Sequence, residues 1–159
     1  MDEADLKVYR SLNRHKVKYV LIGGMAAILY GSPRLTRDTD ILVESTLENC
    51  RKLTAALKAA GFGTASLTTA EKVLKNEINM FRDYIRLDVL TKAKGLSFQQ
   101  AWANRVIKRI KGVRLPMIAF SDLIVSKKAA ARDIDLYDVR TLKKIANLKR
   151  SSSRRRRRR

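Results

Sequence analysis

Two glycines stand where a short apolar strand gives way to helix, and the next strand opens on two aspartates. The apolar run is Lys18–Ile22 (KYVLI); Gly23-Gly24 follow it, then the small-residue helix Met25–Tyr30, stopped by Gly31-Ser32-Pro33. After the polar stretch Arg34–Asp38 comes a second strand, Thr39–Glu44. A Gly-Gly at such a junction lets backbone N–H groups at a helix N-terminus receive a phosphate with no Cβ in the way. Alone it is usually a tight turn. Followed fourteen residues later by Asp38-Thr39-Asp40 on the very next strand, it becomes a far more specific combination.

The rest of the chain predicts one α+β domain over residues 1–150. Leu6, Tyr9 and Leu12 place an amphipathic helix over Asp5–Lys16, and Leu47–Ala60 reads as a helix opened by Ser45-Thr46 and closed by Gly61. A short helix is expected over Thr68–Lys75, then strands Glu77–Arg82 and Tyr84–Leu90 joined at Asp83. Lys92–Gly95 is read as a loop and Ser97–Asn104 as a short helix. Arg105–Ile110 and Val113–Ile118 alternate around Lys111-Gly112 as a hairpin. Helices Ser121–Arg132 and Ile134–Leu148 finish the domain. Cys50, Phe98, Trp102 and Val106 are expected in the core, and His15 on the surface near a helix end. No internal repeat is found.

Charge narrows the partners. The chain carries +20, but Ser151–Ser153 followed by Arg154–Arg159 has the look of an expression tag or a disordered basic tail, outside the fold. Without those six arginines, 29 Lys and Arg face 15 Asp and Glu, a net of +14. An apolar share of 45% argues against disorder. The longest mostly apolar stretch, Tyr19–Gly31, is thirteen residues, short of the roughly 18 a membrane span needs. The acidic opening Met1-Asp2-Glu3 reads against a signal peptide. A single cysteine, Cys50, with the lone His15 excludes an internal disulfide and a His/Cys zinc site. The expectation is a soluble cytoplasmic protein that makes no use of the membrane.

Side chains two apart on a strand share a face. Asp38 and Asp40 therefore present two carboxylates side by side, and repulsion between them falls if a hard divalent ion binds. Asp88, in Ile85–Leu90, lies on the face opposite Leu87 and Val89 and is placed to join them from a neighbouring strand. Three such carboxylates suit metal-assisted phosphoryl or nucleotidyl transfer. The plainer reading has Asp38 capping a turn, Asp40 exposed, and Asp88 paired with Arg86 or Arg82.

Gly23-Gly24-Met25-Ala26-Ala27, Tyr30-Gly31, Arg34 and Thr36-Arg37-Asp38-Thr39-Asp40-Ile41 together resemble the signature of the minimal nucleotidyltransferases of the DNA polymerase β-like superfamily. Arg86–Leu90 is similar to the third-carboxylate strand of that fold. Asp122-Leu123-Ile124, Lys127, Ala129-Ala130, Arg132, Asp135 and Asp138 resemble the C-terminal helical motif of the branch that includes abortive-infection and toxin–antitoxin nucleotidyltransferases. The resemblance implies a mixed β-sheet flanked by helices, with C-terminal helices. It implies phosphate contacts at Gly23 and Gly24, Mg²⁺ (or Mn²⁺) held by Asp38, Asp40 and Asp88, and acceptor activation at Asp88. It also implies Lys127 and Arg132 facing the nucleotide phosphates; Thr36 and Arg37 lie in the approach loop to the triphosphate. Asp133 and Ala131 depart from the pattern, standing where many relatives have proline and glycine, and no large extra domain for the acceptor is present.

The activity implied is transfer of a nucleoside monophosphate from a nucleoside triphosphate to a hydroxyl on a tRNA, a protein or a small molecule. One rival is a non-catalytic antitoxin or protein-interaction module on the same fold, with a toxin or antitoxin as partner protein. The other is a basic RNA-binding domain, suggested by Arg105, Lys108, Arg109, Lys111 and Arg114 on the hairpin and by Lys143, Lys144, Lys149 and Arg150 on the last helix. From position alone Lys127 and Lys128 read as solvated charges, and Arg132 as a partner of Asp135.

Overall fold

The computed structural model of the protein describes the backbone of residues 1–156 and the side chains of residues 1–151; the end of the expected tail, residues 157–159, lies outside the described residues. The elements run α1 (Glu3–Arg14), β1 (Tyr19–Ile22), α2 (Gly23–Tyr30), β2 (Asp38–Val43), α3 (Leu47–Ala59), a 3₁₀ turn (Thr64–Leu67) and α4 (Ala70–Lys75). They continue with β3 (Ile78–Arg82), β4 (Arg86–Leu90), α5 (Phe98–Asn104), β5 (Val106–Ile110), β6 (Val113–Met117), α6 (Phe120–Ala130) and α7 (Asp133–Arg156). Helix starts follow local chemistry. Asp2 and Asp5 form a reciprocal capping box that starts α1 two residues earlier than the apolar spacing suggests. Lys16, at φ 54, takes the chain out of the helix after His15. Thr46, Thr69 and Ser97 cap α3, α4 and α5 through their hydroxyls.

Six strands form one mixed sheet in the order β3-β4-β2-β1-β6-β5. β2 pairs antiparallel with β1 and parallel with β4, while β6 lies parallel to β1. β3–β4 and β5–β6 are antiparallel pairs at the two edges. All four residues of β1 are buried, so helices cover both faces of the sheet centre. On one face Tyr9 of α1 stacks on Tyr19 of β1, with ring centroids 6.0 Å apart, and α3 packs beside α1. Thr39, Ile41, Leu87, Val89 and Phe81 share this face by register and are buried. On the other face α2 packs on β1 and β2, with α6 and α7 against it.

Two expectations need correction. Val106 is 41% exposed, because it opens the edge strand β5 instead of lying in the interior. Lys127 is not a solvated charge; it is 4% exposed. Cys50 and Phe98 are buried as expected, and the Trp102 ring stacks on Phe98. The hairpin turns at Lys111 and Gly112, φ 47 and 79, a pair of left-handed residues whose twist matches the flanking strands.

Candidate active site

Register decides which side chains meet. Asp40 lies opposite Ile22 on β1 and opposite Asp88 on β4. Asp38, two residues earlier and on the same face, lies opposite Arg86. The backbone thus gathers Asp38, Asp40 and Asp88 on the sheet face that α2 and α6 cover, where β1 ends. β1 passes into α2 without a loop: Ile22 is still extended, and Gly23 turns the chain at φ 66.

Both glycines are required by what lies against them. A Cβ on Gly23 would fall 2.1 Å from Asp40 Oδ2. A Cβ on Gly24 would fall 2.6 Å from Arg34 Nη2 and 3.1 Å from Thr36 Oγ1. Asp40 is therefore pressed against the strand–helix turn, with the Gly24 N–H near enough to favour its charge. Burial lifts the Asp40 carboxyl above its ordinary value, the Asp88 and Asp38 charges add to this, and the Gly24 N–H and Arg132 oppose it.

The other two carboxylates are drawn to arginines. Asp38 Oδ1 lies 2.7 Å from Arg86 Nε, and Asp88 Oδ1 lies 2.6 Å from Arg82 Nη1. Both oxygens are covered from solvent and accept no aligned hydrogen bond; the arginines meet them as charges. With these rotamers, no three Asp, Glu, His or Cys side chains among the described residues close on a common point as metal ligands. The backbone assembles the acidic patch, and Arg82 and Arg86, adjacent across β3 and β4, neutralise it. The plainer reading of Asp88, a pair with Arg82, matches this placement.

Beside the patch, between the sheet face and α6, is a cavity of about 430 Å³. Ile22, Ile78, Leu90 and Leu123 give it apolar walls, and Gly23, Asp40, Lys94 and Arg132 supply polar groups. Lys127 also lines it, but its ammonium is engaged elsewhere, 3.1 Å from Asp135 and 2.7 Å from Asp138. Asp138 further accepts from Ser32 and from Arg34 Nε, while Arg132 Nε donates to Asp135 at 2.7 Å. Burial alone would raise both carboxyls; hydrogen bonds from Arg132 and Lys127 to Asp135, and from Arg34 and Lys127 to Asp138, outweigh it and hold both below the ordinary carboxylate range. This network ties α6 and α7 to the Ser32–Arg34 loop. Thr36 Oγ1 donates to the Asp38 carbonyl at 3.3 Å, and Arg37 is exposed.

Sequence reasoning gave Arg82 and Arg86 only the part of ion-pair partners of Asp88, missed the pairing of Arg86 with Asp38, and gave Arg34 no structural role. For Arg86 the signal was spacing: it precedes Asp88 by two residues on one strand, so the two share a face. Nothing local announces Arg34, whose partner Asp138 is 104 residues away.

Comparison with known proteins places this arrangement. Among curated proteins none matches the chain in sequence. In fold it is similar to a candidate nucleotidyltransferase from Thermotoga maritima, with 14% identity, 94% of this chain and 87% of that one covered, and a TM-score of 0.50. It is also similar to an antigenic nucleotidyltransferase-like protein from Paracoccidioides brasiliensis, with 14% identity, 89% and 77% covered, and a TM-score of 0.56. At such identity the likeness is one of fold. The expected mixed sheet with flanking and C-terminal helices is the fold observed. A family model matches residues 3–150, nearly the whole chain, and by it this protein belongs to the nucleotidyltransferases of unknown function, DUF6036.

Proposed function

We propose that this protein transfers a nucleoside monophosphate from a nucleoside triphosphate to a hydroxyl acceptor, releasing pyrophosphate, with Mg²⁺ or Mn²⁺ as cofactor. The observation that carries the reading is the register that sets Asp40 beside both Asp88 and the Gly23-Gly24 turn, at the mouth of a cavity of about 430 Å³. That volume lies within the roughly 300–1,000 Å³ range of small-molecule sites.

The donor set fits a hard divalent cation. Its ligands would be Asp38, Asp40 and Asp88, and two of these carry buried oxygens with no hydrogen bond to lose. Arg86 and Arg82 would have to yield for it to bind. When bound, such a cation neutralises charge on the transferring phosphoryl group and the leaving pyrophosphate. The chain's own residues do the rest. Apolar walls from Ile22, Leu90 and Leu123 receive the base, while Lys94 and Arg132 face the triphosphate. Backbone N–H groups at the start of α2 approach the phosphates without a Cβ between. Asp88 accepts the proton of the acceptor hydroxyl as its oxygen attacks the α-phosphorus and the bond to the β-phosphate oxygen breaks. Lys127, paired with Asp135 and Asp138, positions α7 against α6 at the wall of the cavity.

One observation favours a second reading. Arg82 and Arg86 neutralise the acidic patch without any cation, as a protein-interaction module kept on this fold without catalysis would. Nucleotides labelled at the α- or γ-phosphate separate the two when incubated with Mg²⁺ and total RNA or lysate. Transfer of the α-label with release of the γ-label as pyrophosphate supports the enzyme; no transfer with any of the four nucleotides supports the module.

A further inference from the structure

At the other end of β1 from Gly23, a groove of about 760 Å³ lies between the end of α1 and the β5–β6 hairpin. Arg10, Arg14, Arg105, Arg109, Lys111 and Arg114 line it, and no carboxylate among the described residues does. Arg10 pairs with Glu3; the other five form no ion pair with a carboxylate among the described residues.

This charge is concentrated against the interests of the fold. Arg109 and Arg114 lie directly opposite each other on β5 and β6, where like charges destabilise a sheet. Arg10 and Arg14 are four residues apart on one helix face, again a repulsive spacing. Lys111 occupies a left-handed turn position, φ 47, that favours glycine, asparagine or aspartate. Local gains are limited to the negative helix end for Arg14, Glu3 for Arg10, and the Trp102 ring and carbonyl for Arg105. Cations held together at such cost are relieved by an anion that meets several at once.

Concavity and a planar stack narrow the anion. The Arg105 guanidinium lies 3.7 Å from the Trp102 ring centroid, leaving its outer face as a flat cationic platform. A nucleic-acid strand uses both features, with phosphates along the arginines and a base on the guanidinium plane. A membrane surface would favour a flat or convex face. We infer that this groove is a nucleic-acid backbone site. The inference concerns binding and stands whether or not the carboxylate patch transfers nucleotides.

The test compares full-length variants, so that the arginine tail is common to all. Fluorescence anisotropy with a labelled single-stranded RNA, and with a DNA duplex of equal length to identify the preferred strand, reads the affinity. Arg14→Gln/Arg109→Gln/Arg114→Gln should weaken binding of the preferred strand by about ten-fold at moderate salt and lower the salt slope by about 2–3, as loss of three phosphate contacts requires. Lys58→Gln/Lys72→Gln/Lys75→Gln, exposed positions on α3 and α4 with the same change in net charge, should change it by less than about two-fold. Asp38→Ala/Asp40→Ala should bind as wild type, which separates this claim from that of the carboxylate site. Equal losses in the two lysine and arginine triple variants would overturn the inference. So would binding of phosphatidylserine vesicles that depends on the groove arginines while nucleic-acid binding does not.

Discussion

Gly23 and Asp40 are in such close contact that a methyl group on the first would overlap the carboxylate of the second, at 2.1 Å from Oδ2. The turn that starts α2 and the carboxylate on β2 therefore form one unit, and neither residue tolerates change independently. Gly23→Ala should lower nucleotidyl transfer by about 100-fold, since misplacement of a reacting group by an ångström has that effect. It should also cost about 1–3 kcal/mol for the positive φ and the displaced side chain. Gly112→Ala is the control: its φ is 79 but nothing among the described residues lies within 4 Å of the added carbon. It should lose stability in a thermal melt and retain full transfer.

Lys127 is sealed between Asp135 and Asp138, all three under about 5% exposed. Removing one partner of a buried pair strands the other charges, so Lys127→Met should destabilise the protein by about 3–5 kcal/mol in urea titration. A lysine whose main work was on nucleotide phosphates would instead lose substrate affinity at unchanged stability.

The same network fixes a pH response. Asp135 and Asp138 are held below the ordinary value of 3.8, so the fold favours their ionised forms. Their contribution is fully present above that value and is lost as pH falls below it through the folded pKa. Denaturation melts should therefore show wild type well ahead of Asp138→Asn at neutral pH. The gap should narrow as pH drops below about 4, where unfolded carboxyls take up protons.

Ala131 caps α6 in the left-handed conformation, φ 55, at the position where glycine was the expected residue. Its Cβ costs about 1 kcal/mol there. Ala131→Gly should raise stability by up to that amount, measured by urea titration, with no effect on transfer.

Arg86 competes with any cation for Asp38, at 2.7 Å and half exposed. Arg86→Met should tighten apparent Mg²⁺ affinity by up to about five-fold, the range that exposed ion pairs allow. Mg²⁺-dependent thermal shifts of the two proteins provide the comparison.

The parts of this molecule that were legible beforehand are those governed by short-range periodicity. Asp38 and Asp40 share a face because strand parity makes them do so, parity sets Asp88 on the face opposite Leu87 and Val89, and the hairpin at Lys111-Gly112 follows from alternation broken by one glycine. Helix positions were also readable, to within the one or two residues that caps such as Asp2 decide, except at the end of α7, which runs to Arg156 and not to Leu148. What escaped depends on distant contacts. Arg34 meets Asp138 only once the last helix has packed back on the loop after α2, and Lys127 becomes buried because α7 closes over it. Val106 carries an apolar residue that reads as core in any strand, yet sheet order leaves it on an edge. Arg82 and Arg86 could be placed on the carboxylate face, but their pairing with Asp88 and Asp38 depends on which strands neighbour each other.

The central claim is that the Asp38–Asp40–Asp88 patch transfers a nucleotide. Its most direct test is α-label transfer by wild type and by Asp38→Ala/Asp40→Ala, measured side by side with Mg²⁺ and each of the four nucleoside triphosphates, after melts show both proteins folded. The account predicts labelled acceptor with wild type and none above background with the double variant. Equal labelling by the two proteins would contradict it.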